Sequence, residues 1–379
     1  MKNILNELKI TVGEALETPF MQKYNIYQDG TTPCYRDVDG KLWAISGHTH
    51  VGDIAMFSGS TMQDLTKLYP IKTLFETGSS NKAFNGIKYP EGVLPRGSIW
   101  PFGLYICPKT HRFFAFFHNE TGWNGEGTGY DSFGFCDIPK HDSDFRHIGL
   151  MYSDNEGKTW EFDRWILTGE KVCFSQEFNP SNSVVIGQPM TEITLGAGDF
   201  SLFVPENDEF MYVVYTMLKL NVKNGQLSAC DTYIARSRKR DDGVMGDFVK
   251  YYNGAFCEAG NCGKESAIVK NLWHARIIYL KELGVYMLSG SPANCNNVVD
   301  VYNPQQIISH ALEMRVSTDL INWSEPVVLH KDGKPFGDHY CAFYSDNPKD
   351  SHWESGNSLI LQLNGNGTDV LAYKVKFDK

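Results

Sequence analysis

The sequence predicts an all-β chain folded as one five-bladed β-propeller, and three observations carry that prediction. Helical periodicity is scarce, strand-like apolar runs bounded by Gly, Asp and Asn turns dominate, and those runs recur five times in one fixed order. Each unit opens on a strand with a polar start, turns into a strongly apolar strand, and continues into a third strand, several of which end in Ser. The first unit covers 34–37, 42–46 and 54–58; the second runs from Arg96 through 113–118 to 147–153. The third covers 198–203, 211–216 and 232–237, the fourth 273–277, 285–289 and 312–317, and the fifth 339–344, 358–362 and 370–375. Radial blades that bury their faces against one another absorb such repeats into a single domain spanning residues 1–379. Residues 1–30 are then expected to close or cover the last blade. Short helices are expected within 4–16 and 61–69.

Composition narrows the function classes. Of 379 residues, 42% are hydrophobic and 21% charged, an ordinary globular balance. The net charge of −10 argues against a nucleic-acid partner, which would require a basic face. The one dense basic run, Arg236 to Arg240, is cancelled by Asp241 and Asp242. No apolar stretch is long enough to span a bilayer, and the first residues lack the apolar core of a secretion signal. Nine cysteines, an odd count without a Cys-x-x-Cys pair, read as a reduced, cytoplasmic chain with several buried thiols, not as a disulfide framework or zinc site. Aromatic residues reach 13%, which suits both pleated sheets and the stacking of sugar rings.

Two segments after third strands sharpen the fold. Ser153-Asp154-Asn155-Glu156-Gly157-Lys158-Thr159-Trp160 matches the Ser-x-Asp-x-Gly-x-Thr-Trp turn known as the Asp-box, with Asn155 where Asp is usual. The stretch from Ser317 to Trp323 is a shorter variant. Both are structural turns in which a side-chain oxygen caps backbone N–H groups and the Trp packs between blades. On these turns, the strand 198–203 and the segment 249–254, the chain resembles the five-bladed glycosidase propellers (arabinanases, β-xylosidases, invertases) and the sialidase-like propellers. The resemblance implies glycoside chemistry at a channel mouth where acids from different blades meet.

Glycoside cleavage needs one carboxyl to protonate the leaving oxygen and one carboxylate facing the anomeric carbon. The resemblance implies Asp37, at the end of the first unit's first strand, as base or nucleophile. It implies Asp199, at the start of the third unit's first strand, as the central acid. Glu120 is read as the proton donor, because the polar cluster His118-Asn119-Glu120 follows five apolar residues where a strand leaves the core. Arg36 and Arg96 are candidates for binding an acidic sugar carboxylate in bidentate fashion. His48, His118 and His274 are expected to contact substrate, with Trp100, Trp123 and Trp273 as stacking surfaces. His48 and His50 alternate as a metal pair would, but a lone His-x-His is read here as sugar contacts, and no metal or cofactor is expected.

The sequence shows no Walker loop, dinucleotide fingerprint, nucleophile elbow or His-Glu-x-x-His. With those readings lowered, the function that the resemblance implies is favoured, a glycoside hydrolase acting on a small oligosaccharide. The alternatives are a carbohydrate-binding propeller without turnover, or a glycan lyase or phosphorylase.

Overall fold

The computed structural model describes residues 3–16, 30–47, 54–71, 99–121, 145–169, 192–194, 196–221, 227–293, 311–351, 353–364 and 370–379. Among them the only helical element is a 3-10 turn, Ile4–Glu7, capped by the Asn3 side chain accepting from the Leu5 N–H at 3.0 Å. The described strands pair antiparallel except for one short parallel pair, and the chain is a five-bladed β-propeller.

Strand β1 (Lys9–Leu16) comes first but belongs to the last blade. Blade 1 is β2 (Cys34–Arg36), β3 (Leu42–Ser46), β4 (Ala55–Gly59) and β5 (Thr66–Pro70). Blade 2 is β6 (Ile99–Ile106), β7 (Phe113–Thr121), β8 (Phe145–Ser153) and β9 (Glu161–Thr168). Blade 3 contains β10 (Glu192–Thr194), β11 (Gly198–Phe203), β12 (Phe210–Asn221), β13 (Leu227–Arg238), β14 (Val249–Tyr252) and β15 (Ala255–Ala259). Blade 4 is β16 (Leu272–Leu280), β17 (Val285–Pro292), β18 (Glu313–Ser317) and β19 (Val327–Val328). A separate hairpin follows, β20 (His330–Lys331) with β21 (Lys334–Pro335). Blade 5 begins with β22 (Tyr340–Ser345); β23 (Glu354–Ser355) leaves it to pair in parallel with β16. It ends with β24 (Ser358–Asn364) and β25 (Val370–Asp378), and β25 pairs with β1.

The residues form these strands because both faces of each sheet are buried, which produces continuous apolar runs without polar alternation. In β7, Phe113, Ala115 and Phe117 join a core shared with blade 1, while Phe114 and Phe116 join one shared with blades 3 and 4. In β3, Trp43 and Ile45 face blade 2, and Leu42 and Ala44 face blade 5. In β24, Leu359, Leu361 and Leu363 face blade 4, and Ile360 faces blade 1. The ring closes through this last contact. Each fully buried Phe contributes about 1.5–3 kcal/mol.

Three expectations are corrected. Residues 9–16 form an edge strand, because pairing with β25 supplies every other N–H with a partner that a lone helix turn would not. Residues 66–70 are likewise an edge strand, with β4 as partner. Cys262 is disulfide-bonded, its partner lying outside the described residues, so the expectation of a reduced chain does not hold at this residue. Cys34, Cys107, Cys257 and Cys341 are free thiols. No described helix is long and apolar enough to cross a membrane.

The turns at 153–160 and 317–323 share one hydrogen-bond pattern after the third strands of blades 2 and 4. Ser153 Oγ accepts from the N–H of Asn155 (3.3 Å) and Gly157 (2.9 Å), and Asn155 Oδ1 accepts from the Thr159 N–H at 2.9 Å. Ser317 Oγ accepts from Asp319 (3.1 Å) and Leu320 (3.0 Å), and Asp319 Oδ1 from Ile321 (2.9 Å) and Asn322 (2.7 Å). Each indole then donates to the carbonyl three residues back, Trp160 to Gly157 at 2.9 Å and Trp323 to Leu320 at 3.1 Å. Replacing Ser153 or Ser317 by Ala strands buried N–H groups, at an expected cost of about 1–3 kcal/mol each. Because the turns lie in non-adjacent blades, the double variant should lose the sum of the two, as read by denaturant unfolding of all three variants.

Candidate functional site

The first strands β2, β6, β11, β16 and β22 line the ring's interior and all enter from one end. Bonds between blades identify that end. The Asp199 N–H, at the start of β11, donates to His118 Nδ1 near the end of β7 at 3.0 Å. Trp273 Nε1, at the start of β16, donates to Asp199 Oδ2 at 3.1 Å. Ser291 Oγ, late in β17, donates to the His339 carbonyl just before β22 at 2.7 Å. Asn364 Nδ2, closing β24, donates to the Gly30 carbonyl just before blade 1 at 2.9 Å. These entrances form the candidate mouth.

At two entrances the backbone leaves regular pairing. Register shifts fall between Gly198 and Ser201 and between Trp273 and Arg276, and inside them Asp199 (φ 43°) and His274 (φ 52°) take left-handed backbone. For residues other than glycine this conformation costs about 1–3 kcal/mol and persists only where surroundings enforce it. Gly198 is required beside Asp199: a Cβ there would stand 2.5 Å from His118 Cε1 and 2.7 Å from Arg146 Cδ.

Asp199 is half-buried, and its carboxylate accepts from the Trp273 indole. Because its N–H points at His118 Nδ1, neutral His118 carries its proton on Nε2 and is a donor there. The Trp100 ring meets His118 edge-on, with centroids 5.1 Å apart. His274 stacks on Trp273 (4.8 Å, 14°) and meets His339 and Tyr340 edge-on at 4.6 and 4.3 Å. Its buried Nε2 has no hydrogen-bond partner among the described residues. Burial first, then His339, Arg146 and His118, hold His274 well below the usual imidazole value. Burial and His118 likewise lower His147 to about 3. The mouth thus presents neutral imidazoles, aromatic rings and a carboxylate. Asp338, half-buried, precedes β22 at the same end and accepts from the His339 N–H at 2.7 Å.

Of the residues singled out from sequence, Trp100, His118, Asp199, Trp273 and His274 meet at this mouth. Trp100 is only 4% exposed and packs in the core, so Trp273 offers the more open ring. Asp37 does not join them. It follows the last residue of β2 and sits where first strands leave the ring, 3.7 Å from His111 Nε2. Its oxygens accept from the N–H of Asp39 and Lys41, both at 3.0 Å, and from Trp43 Nε1 at 2.7 Å. It caps a hairpin, which corrects its reading as a base or nucleophile. Arg36 lies at that same far end, donating to the carbonyls of Asp350, Gly40 and Ser60, which corrects its reading as a sugar ligand.

The backbone of Glu120 lies on β7 opposite Arg146, at the mouth end; its side chain lies outside the described residues. Arg96, Trp123, His48 and His50 lie outside them too. Arg146, His147, Arg276, His339 and Tyr340 were not anticipated. His339 and Tyr340 occupy in the fifth unit the place that Trp273 and His274 occupy in the fourth, and that shared register is the signal that would have found them. Arg146 and Arg276 are buried at 7% and 4% exposure, and an arginine in an apolar strand carries no local mark of the space it faces.

No family model matches the chain, and no curated protein matches it. Solved structures do. An α-L-arabinofuranosidase from Lactobacillus brevis is 14% identical, with a TM-score of 0.46, covering 93% of this chain and 91% of its own. An exo-β-1,3-galactanase from Phanerochaete chrysosporium, determined with galactose, is 11% identical at TM-score 0.47, covering 97% of this chain and 64% of its own. A family 117 glycoside hydrolase produced by the marine bacterium Zobellia galactanivorans is 13% identical at TM-score 0.36, covering 79% of this chain and 73% of its own. These likenesses are of fold, and the blade assignment above stands on strand pairing itself.

Two outcomes follow from this geometry. Gly198→Ala should displace His118 and Arg146 and so weaken any ligand held at the mouth while far-ultraviolet circular dichroism stays unchanged. The buried imidazoles make stability depend on pH. An unfolded imidazole with a pKa near 6.5 takes up a proton that the folded His147, at about 3, refuses. The stabilisation is therefore complete above pH 6.5 and is lost as pH falls toward about 3, at roughly 1.4 kcal/mol per pH unit for each such group. Unfolding measured between about pH 7 and 5, above most carboxylate titration, should show this slope, and His147→Gln should flatten it.

Proposed function

We propose that the chain is a glycoside hydrolase acting on an oligosaccharide at the propeller mouth. The observation that carries this reading is Asp199: a half-buried carboxylate on strained backbone, held by the Trp273 indole and fixed through its own N–H to His118. A strained, hydrogen-bonded acid beside neutral donors and flat rings suits a pyranose or furanose, whose hydroxyls need directional partners and whose apolar face needs an aromatic surface.

Asp199 serves as the carboxylate of the pair and Glu120 as its proton-donating partner. Glu120 gives its proton to the glycosidic oxygen as the bond to the anomeric carbon breaks; the ionised partner either activates water or attacks that carbon. His118, through Nε2–H, donates to a sugar oxygen. Asp37 takes no part.

The test is release of reducing sugar from a panel of aryl glycosides and plant, algal and bacterial oligosaccharides. Wild type should turn over at least one of them. Asp199→Asn and Glu120→Gln should each lower kcat by roughly 10²–10⁴ while remaining folded. Asp37→Asn should leave kcat unchanged and destabilise the fold by about 1–3 kcal/mol through its buried turn. Turnover by Asp199→Asn at the wild-type rate would remove the basis of this reading.

A further inference from the structure

Arg276 is a buried charge for which glycoside cleavage alone gives no use. It lies on β16, two residues beyond His274, and is 4% exposed. Its Nη1 donates to Thr31 Oγ1, so a side chain from blade 4 crosses the ring's interior to blade 1, which is not its neighbour. The guanidinium lies 5.2 Å from the Tyr344 ring centroid and 5.9 Å from that of Trp353.

Among the described residues its surroundings are otherwise neutral and already occupied. The Tyr344 hydroxyl donates to the Thr32 carbonyl at 2.8 Å, and the Thr32 N–H donates to Gln362 Oε1 at 3.3 Å. No carboxylate among the described residues forms an ion pair with Arg276. A buried cation whose described neighbours are hydroxyls, a thiol and rings is expensive unless an anion joins it. A second buried guanidinium, Arg146 at 7% exposure, packs over Gly198 beside Asp199.

We propose that the saccharide bound at the mouth carries an anionic group, a uronate carboxylate or a sulfate ester, and that the Arg276 guanidinium receives it. The proposal rests on the glycoside reading of the same mouth. The planar fork of a guanidinium matches the paired oxygens of either anion, which an ammonium does not.

The test is calorimetric titration of the full chain with glucuronate, galacturonate and inorganic sulfate, beside glucose and galactose, for wild type, Arg276→Met and Arg276→Lys. At least one anion should bind roughly ten- to hundredfold more tightly than the neutral sugars. Arg276→Met should abolish that preference, and Arg276→Lys should keep part of it. Removing an unpaired buried charge should leave the melting temperature of Arg276→Met at or above wild type, which separates lost binding from lost folding. Binding of uronates points to a uronate substrate, and binding of sulfate alone to a sulfated one. Failure of every anion to bind, or an anion preference that survives in Arg276→Met, overturns the proposal. Anion binding that depends on Arg276, without turnover of any uronate- or sulfate-bearing oligosaccharide, overturns the hydrolase reading and keeps this one. Turnover confined to neutral oligosaccharides does the reverse.

Discussion

Each blade is pressed between two others, and this double burial governs what its strands can contain. A residue on a middle strand has no solvent side; it serves one neighbouring blade or the other. In β7 the alternation Phe113, Ala115, Phe117 against Phe114, Phe116 divides five side chains between two cores. Where a large ring is placed, the facing strand must yield. A Cβ on Gly149 would lie 2.2 Å from Phe117 Cζ, so the bare backbone of β8 makes room for that ring. Polar chemistry is thereby pushed out of the middle of the blades to the strand ends, where inner strands enter or leave the ring.

The two ends use their acids differently. At the exit end, Asp37 satisfies turn N–H groups and an indole, so its charge is committed to holding a hairpin. At the entrance end, Asp199 fixes its position through its backbone, which leaves the carboxylate with one described hydrogen bond. The left-handed backbone at Asp199 and His274 is held by packing from blades on either side. The rings around His274, stacked and edge-on within 5 Å, leave no room for it to relax.

Double burial also explains how much was legible. Continuous apolar runs recur because every blade faces the same demand, so five units could be read without knowing any contact. Edge strands resisted, since they have one covered face and a partner that local sequence does not name. In β1 a register shift between Val12 and Ala15 breaks the alternation, and its partner β25 lies at the opposite end of the chain. At the site, Asp199, Trp273 and His274 were legible because they begin first strands. Asp37 misled because it ends one: the run Asp37-Val38-Asp39-Gly40 announces a hairpin, and that is what it builds. Arg276 stayed hidden because its meaning lies across the ring, at Thr31. The disulfide at Cys262 had no spacing signal.

The pairing of β1 with β25 sets Lys9 opposite Asp378. The beginning and end of the described chain are thus adjacent strands of one sheet, about 5 Å apart. Blade order along the chain is in this sense arbitrary: a short linker joining β25 to β1, with a new opening between any other pair of blades, would preserve every described strand pairing. The fifth blade acts as a clasp made from the first and last described strands, and the ring is complete only when its two halves have met.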